Sequence, residues 1–209
     1  ALSWQQADAM DVGPMLPANG PILKALRLPR LFGITHAGEI GIDAQLARLD
    51  AALADGLRLV QIREPALPEG PREAFARAVV ERCHATGALV MVNDDPALAR
   101  SIGADGLHLT ARSLASAAAR PEFEWVGASC HTRAELEKAA GLELDYALLG
   151  AVQPTLSHPE RNALGWPAFT EMIARLPLPV FALGGLGAGD LGAAKTAGAH
   201  GVAGIRAFW

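Results

Sequence analysis

From residue 31 onward, short apolar runs alternate with longer stretches whose apolar residues recur at helical spacing. The runs at residues 31–35, 57–63, 88–92, 105–109, 125–128, 145–149, 179–183 and 201–205 each read as a strand. Between the first two, Ile42, Leu46, Leu49 and Leu53 mark one helical face over residues 42–53. Residues 72–86 read as a helix opened by Pro71, and further helices are predicted over 96–102, 113–119, 132–140, 166–176 and 186–197. Thr132, followed three positions later by Glu135, predicts a capping box at the start of one of them. Eight strands separated by seven helices predict an α/β fold with a parallel sheet. No Gly-x-Gly-x-x-Gly follows the first strand, so a closed (β/α)8 TIM barrel is favoured over an open dinucleotide-binding sheet. The barrel is small: residues 31–209 fall below the usual size of about 250. Only residues 206–209 follow the last strand, which leaves no room for an eighth helix. The face beside that strand is therefore expected to be covered by the helical pattern near residues 22–28 or by a partner subunit in a homodimer.

Residues 1–30 break the pattern. They are rich in Pro and Gly around one short helical stretch at residues 22–26, and they read as an irregular N-terminal arm attached to a barrel at 31–209. Composition narrows the function. A hydrophobic content of 51%, a charged content of 19% and a net charge of −4 describe a globular chain without the basic surface that nucleic acid needs. No apolar run approaches a membrane span. The two cysteines, Cys83 and Cys130, have neither metal-ligand nor disulfide-framework spacing, which points to a reducing, cytoplasmic setting.

In a barrel of this kind, chemistry collects at the C-terminal ends of the strands. The run FALGGLGAGD at residues 181–190 ends a strand in two glycines and starts a helix, so Gly184 and Gly185 offer bare backbone N–H groups to an anion. Ile205 and Arg206, after the last strand, stand ready to close the other side of the same phosphate cradle, although a tight turn without a ligand would look alike. Gln61 and Arg63 lie at the end of the second strand on its interior row. Asn93 and Asp94 end the third strand, and Asp94 is the best carboxylate for a metal. Cys130 beside His131 does not make a thiol nucleophile, because successive strand side chains point oppositely, and Cys130 reads as buried structure. His131 is a candidate general acid or base and equally a loop histidine, whereas His108 reads as a satisfied interior histidine. The long segment 150–162, with Thr155, Ser157 and His158, is a candidate lid.

Taken together, the motifs LFGIT (31–35), LVQIRE (59–64), VND (92–94), ADGLHL (104–109), GASCHT (127–132), LGAVQPT (149–155), ALGG (182–185) and GVAGI (201–205) resemble, in order and spacing, the thiamine phosphate synthase/TenI family. The resemblance covers about residues 31–208 and implies a barrel acting in thiamine biosynthesis on a thiazole phosphate. It places that phosphate near Gly184, Gly185, Ile205 and Arg206. It also matches Gln61, Arg63, Asn93, Ser129, Thr155 and Ser157 to substrate-binding positions. Several positions depart from the synthase pattern. Pro65 stands where a lysine follows Arg-Glu, Ser113 falls at the second magnesium carboxylate, and His158 falls at the lysine of the Thr-x-Thr-Lys loop. The chain has only three lysines, Lys24, Lys138 and Lys195, none at a strand end.

These departures favour a TenI-like thiazole tautomerase with His131 as the proton carrier and no cofactor. The alternative is a thiamine phosphate synthase that joins a pyrimidine pyrophosphate to the thiazole phosphate with Mg²⁺ on Asp94, and its activity is then expected to be weak or absent. A third reading is a non-catalytic phosphate-binding module. Residues 1–30 separately resemble the C-terminal end of a MutT-type Nudix domain, which suggests a Nudix fusion whose hydrolase part is absent from this chain.

Overall fold

The structure, a computed structural model, describes Gly13, Leu16 and residues 19–155 and 163–209. After helix α1 (Gly20–Arg27) the elements run β1 (Leu31–Ile34), α2 (Ala37–Ile40), α3 (Ile42–Ala54), β2 (Leu59–Ile62), α4 (Glu69–Ala85), β3 (Leu89–Asn93), α5 (Pro96–Ile102) and β4 (Gly106–Leu109). They continue with α6 (Ala111–Ser116), β5 (Trp125–Cys130), α7 (Arg133–Gly141), β6 (Tyr146–Gly150), α8 (Gly165–Ile173), β7 (Val180–Leu183), α9 (Leu191–Thr196) and β8 (Gly201–Gly204). All eight strands pair in parallel with their sequence neighbours, and β8 closes on β1 through Leu31 opposite Val202 and Gly33 opposite Gly204. The predicted barrel is therefore the observed one.

Helix starts follow local chemistry. Thr132 and Glu135 form the predicted capping box on α7, and Asp95 caps α5 by accepting the Leu98 N–H at 2.9 Å. Helix α4 begins three residues earlier than its apolar pattern, so Pro71 sits in the first turn, where its missing N–H costs nothing. The predicted helix over residues 186–197 is divided into a 3-10 turn (Ala188–Asp190) and α9, with Asp190 accepting the Gly187 N–H at 2.9 Å. Three glycines in seven residues weaken a continuous helix there. The four-residue α2 is too short to leave a periodic signature.

Two apolar layers hold the barrel. The outer one lies between the strands and the helices, with Leu49, Phe75, Val79, Leu114, Leu136 and Phe169 fully buried. The inner one is centred on Phe32, Tyr146 and Phe181, whose rings meet edge to face with centroids 5.6–5.9 Å apart. Tyr146 occupies space that β5 leaves open, since a Cβ on Gly127 would lie 2.1 Å from its ring.

The expectation about what covers the face beside β8 is corrected. Helix α1 packs at the N-terminal end of the barrel. There Lys24 pairs with Asp145 at 2.7 Å and stands over the Trp125 ring, and Leu28 joins the inner layer. The gap beside β8 is filled by the last residues themselves. Phe208 lies against Gly204 and the Trp209 ring against Gly33, where a Cβ would come within 2.7–2.9 Å of the aromatic carbons. The Trp209 Nε1–H also donates to the Ile34 carbonyl at 2.8 Å. Two glycines facing outward on adjacent strands let two aromatic side chains do what a helix does elsewhere in the ring. Among the described residues, no helix is long and apolar enough to cross a membrane.

Candidate active site

The barrel opens at the C-terminal ends of its strands into a cavity of about 580 Å³. Its walls bring together most of the residues singled out from the sequence. Gln61 and Arg63 come from the end of β2, Asn93 from β3, Ser129 and His131 from the end of β5, and Thr155 from beyond β6. Gly184 and Gly185 follow β7, and Ile205 and Arg206 follow β8. Ser157, His158 and the greater part of the predicted lid lie outside the described residues.

Each group reaches the cavity for a local reason. Gln61 shares the interior row of β2 with Leu59 and is only 1% exposed, and its amide Nε2 has no protein partner among the described residues. A buried amide donor left open toward a cavity is costly unless a ligand or water completes it. The Arg63 backbone N–H donates to Thr35 at 3.1 Å, which ties the end of β2 to β1 while its exposed side chain lines the cavity. His131 Nδ1 lies 3.0 Å from the Gly150 carbonyl. A carbonyl only accepts, so Nδ1 carries a proton, and the tautomer compatible with this contact has its lone pair on Nε2. The neighbouring Cys130 is fully buried, and burial pushes its thiol up to about 12, so it is packing and not a nucleophile. Buried Cys83 is likewise pushed up to about 12, and both cysteines are free.

The paired glycines after β7 adopt positive φ, +103° at Gly184 and +67° at Gly185. Side chains there would strike Ala151 at 2.6 Å and the Pro154 carbonyl at 2.7 Å, so bare backbone is also what seats this turn against the segment after β6. Among the described residues the N–H groups of Gly185, Leu186 and Ile205 donate to no protein acceptor, and all three residues line the cavity. Such convergent donors suit an anion. Arg206 differs from expectation. Its guanidinium is held by Glu39 in α2 through two bonds of 2.8 and 2.9 Å, so much of its charge is already compensated.

Arg112 is a cation that the sequence pattern did not single out. It lines the cavity from the first turn of α6, and no carboxylate pairs with its guanidinium or with that of Arg63 among the described residues. Asp94 sits at the rim, in the neighbouring groove of about 520 Å³ together with Ser113. Its Oδ2 accepts the hydroxyls of Thr110 at 2.9 Å and Ser113 at 2.8 Å. No group of three His, Cys, Asp or Glu residues able to hold a metal exists among the described residues. One carboxylate with adjoining hydroxyls fits a Mg²⁺ ion that shares its coordination with substrate phosphates, and does not suit an all-protein cage.

The model of the family described as thiamine monophosphate synthase (TMP-TENI) matches residues 31–208. The chain belongs to this thiamine monophosphate synthase family. A thiamine-phosphate synthase of Thioalkalivibrio sulfidiphilus is 38% identical over 183 residues, covering 85% of this chain and 86% of the relative. One from Chromobacterium violaceum is 39% identical over 181 residues, covering 84% and 87%. Among solved structures, the thiamine phosphate pyrophosphorylase of Pyrococcus furiosus superposes with a TM-score of 0.70 at 22% identity, covering 84% of this chain and 85% of that one, a likeness of fold. The family match begins at residue 31, and none of these comparisons supports the expected Nudix likeness of residues 1–30 or the homodimer. Among the described residues, the cavity has open N–H groups of Gly185, Leu186 and Ile205 on one wall, and Arg63 and Arg112, with no carboxylate partner, on another.

Proposed function

We propose that the protein is a thiamine-phosphate synthase that joins an aminomethyl-pyrimidine diphosphate to a thiazole phosphate. This reverses the order preferred from the sequence, where the tautomerase came first. Family membership and relatives named as synthases favour it. The observation that supports the reading is that groups of a kind suited to anions, open N–H groups and arginines, line two walls of one cavity. The N–H cradle follows β7 and β8, whereas Arg112 follows β4, across the closed barrel, and Arg63 follows β2. A tautomerase acting on one thiazole phosphate needs only one such wall. A reaction between two phosphorylated substrates needs both.

In this reading the thiazole phosphate rests on the N–H groups of Gly185, Leu186 and Ile205. The unpaired Gln61 Nε2–H meets an acceptor on the pyrimidine ring. The thiazole nitrogen bonds to the exocyclic methylene carbon as the carbon–oxygen bond to diphosphate breaks, and the electron pair leaves with the diphosphate. Charge that develops there is met by Arg63 and Arg112. Mg²⁺, when bound beside Asp94 with the diphosphate, supplies further neutralisation of the leaving group. The expectation of weak activity rested on a missing carboxylate and two missing lysines. In this reading Arg112, which lines the cavity, supplies a cation on the diphosphate side in their place.

The test is an assay for thiamine phosphate with both substrates and Mg²⁺. Product is expected, and Arg112→Ala should lower kcat/KM by about 10²- to 10³-fold, the usual worth of one electrostatic stabiliser. Binding of thiazole phosphate by a folded protein that forms no thiamine phosphate would reject the synthase. It would restore the tautomerase, for which the lone pair on His131 Nε2 is the supporting observation.

A further inference from the structure

Beneath the cavity floor three polar groups from three strands form a chain inside an otherwise apolar layer. Tyr146 on β6 and His108 on β4 are both 0% exposed. His108 Nδ1 lies 3.1 Å from the Tyr146 hydroxyl, its Nε2 lies 2.9 Å from the Ser129 hydroxyl, and Ser129 lines the cavity. The imidazole and phenol rings also stack, with centroids 5.7 Å apart and planes inclined by 27°.

The protons on this chain have only one arrangement that satisfies every buried group. If His108 carried its proton on Nδ1, it would donate to the phenol oxygen. The Tyr146 O–H would then have no acceptor among the described residues, since His108 is its one partner there. An unmet buried donor biases the population against that state on the order of ten- to a hundredfold. In the other arrangement Tyr146 O–H donates to Nδ1, Nε2–H donates to Ser129 Oγ, and the hydroxyl proton of Ser129 is free to point into the cavity. Burial also pushes His108 down to about 3, so the ring is neutral and holds a single proton to place.

We propose that Tyr146, acting through His108, sets the direction of the Ser129 hydroxyl so that Ser129 meets the bound substrate as a hydrogen-bond donor to an anionic oxygen. Tyr146 and His108 are positioning residues, and Ser129 is the group that touches the ligand. The donor role of Ser129 rests on the cavity being the phosphate-binding site proposed above, whereas the proton arrangement does not. Its converse also follows: with the relay reversed, Ser129 would present only lone pairs and would repel a phosphate.

Two measurements test the relay. Long-range ¹H–¹⁵N spectra of the histidine-labelled protein report the tautomer of His108, identified by its loss in His108→Gln. The Nε2–H form is expected, and a protonated Nδ1 would overturn the proposal without any reference to activity. The second is a double-mutant cycle read by calorimetry with inorganic pyrophosphate and Mg²⁺. Tyr146→Phe keeps the ring and removes only the hydroxyl, so the packing of the inner layer is retained. It should weaken pyrophosphate binding about 2- to 10-fold when Ser129 is present, the net worth of one hydrogen bond. It should have no effect in the Ser129→Ala background. An equal loss in both backgrounds would show that Tyr146 acts through general packing, and would refute the relay. Pyrophosphate that fails to bind the unmodified protein would overturn the donor role and the cavity reading together, with the tautomer still decided by the spectra.

Discussion

Replacing Ser113 by Asp tests how the rim beside Asp94 handles charge. In the parent, the Ser113 hydroxyl donates to Asp94 Oδ2 at 2.8 Å, and Thr110 donates to the same oxygen at 2.9 Å. Ser113→Asp exchanges one donor for a second carboxylate about 4 Å from the first. Two like charges at that separation repel by about 4 kcal/mol at an effective dielectric of 20. Asp94 is exposed, and solvent screening reduces this to about 1–2 kcal/mol. Loss of the hydroxyl hydrogen bond adds about 1 kcal/mol. The apo variant should therefore be about 2–3 kcal/mol less stable, which for a chain of this size lowers Tm by about 5–10 °C. A divalent cation between the two carboxylates reverses the sign. At a Mg²⁺ concentration 100 times its Kd, binding to the folded state returns about 2.7 kcal/mol and closes the gap. Scanning calorimetry of parent and variant, in chelator and in a Mg²⁺ series, measures both halves. A variant melting with the parent in chelator would show that the two side chains do not face each other. A variant whose Tm ignores Mg²⁺ would remove Asp94 from any metal site.

Three further outcomes are expected. His131→Asn should leave thiamine phosphate formation within about tenfold, because the synthase needs no proton carrier at Nε2; a loss of 10² or more would make the ring a general acid or base and revive the tautomerase. Trp209→Ala should destabilise the protein by about 2–3 kcal/mol in urea unfolding, below the usual cost for a fully buried Trp because this one is half-buried, and a change under about 0.5 kcal/mol would mean the ring does not stand in for a helix. Stability should fall as the pH drops from about 6.5 toward 4. Burial holds His200 at about 4 in the folded state, with its Nε2–H donated to the Leu28 carbonyl and Nδ1 beside Arg30. The unfolded chain takes up a proton below about 6.5 that the native His200 refuses, so the contribution is present above 6.5 and lost on acidification, at up to about 1.4 kcal/mol per pH unit. His108 adds to the same slope, and His200→Gln should remove one proton from it in urea titrations at pH 7 and pH 5.

The sequence by itself determined the order and type of the elements. Each strand is a self-contained apolar run, and caps such as Thr132 with Glu135 and Asp95 with Leu98 act within four residues, so both leave a local trace. It also placed Gln61, Arg63, Ser129 and the Gly184–Gly185 turn at strand ends, which in a barrel means at one mouth. Tertiary structure alone decided which partners these groups meet. Arg206 is paired across 167 positions with Glu39, and this changes it from a free phosphate ligand into a compensated charge. Arg112 gains its place because α6 starts at the rim. Tyr146 lies 38 residues from His108 and reads in sequence as one more apolar strand residue, yet its hydroxyl sets a proton on the cavity floor. The outward faces of Gly33 and Gly204 are bare, and nothing in their local pattern says that Trp209 and Phe208 return to cover them. Periodicity records which face of an element is apolar, because that is a property of consecutive residues. Which distant side chain fills the space against that face depends on closing the barrel, and only the closed barrel supplies it.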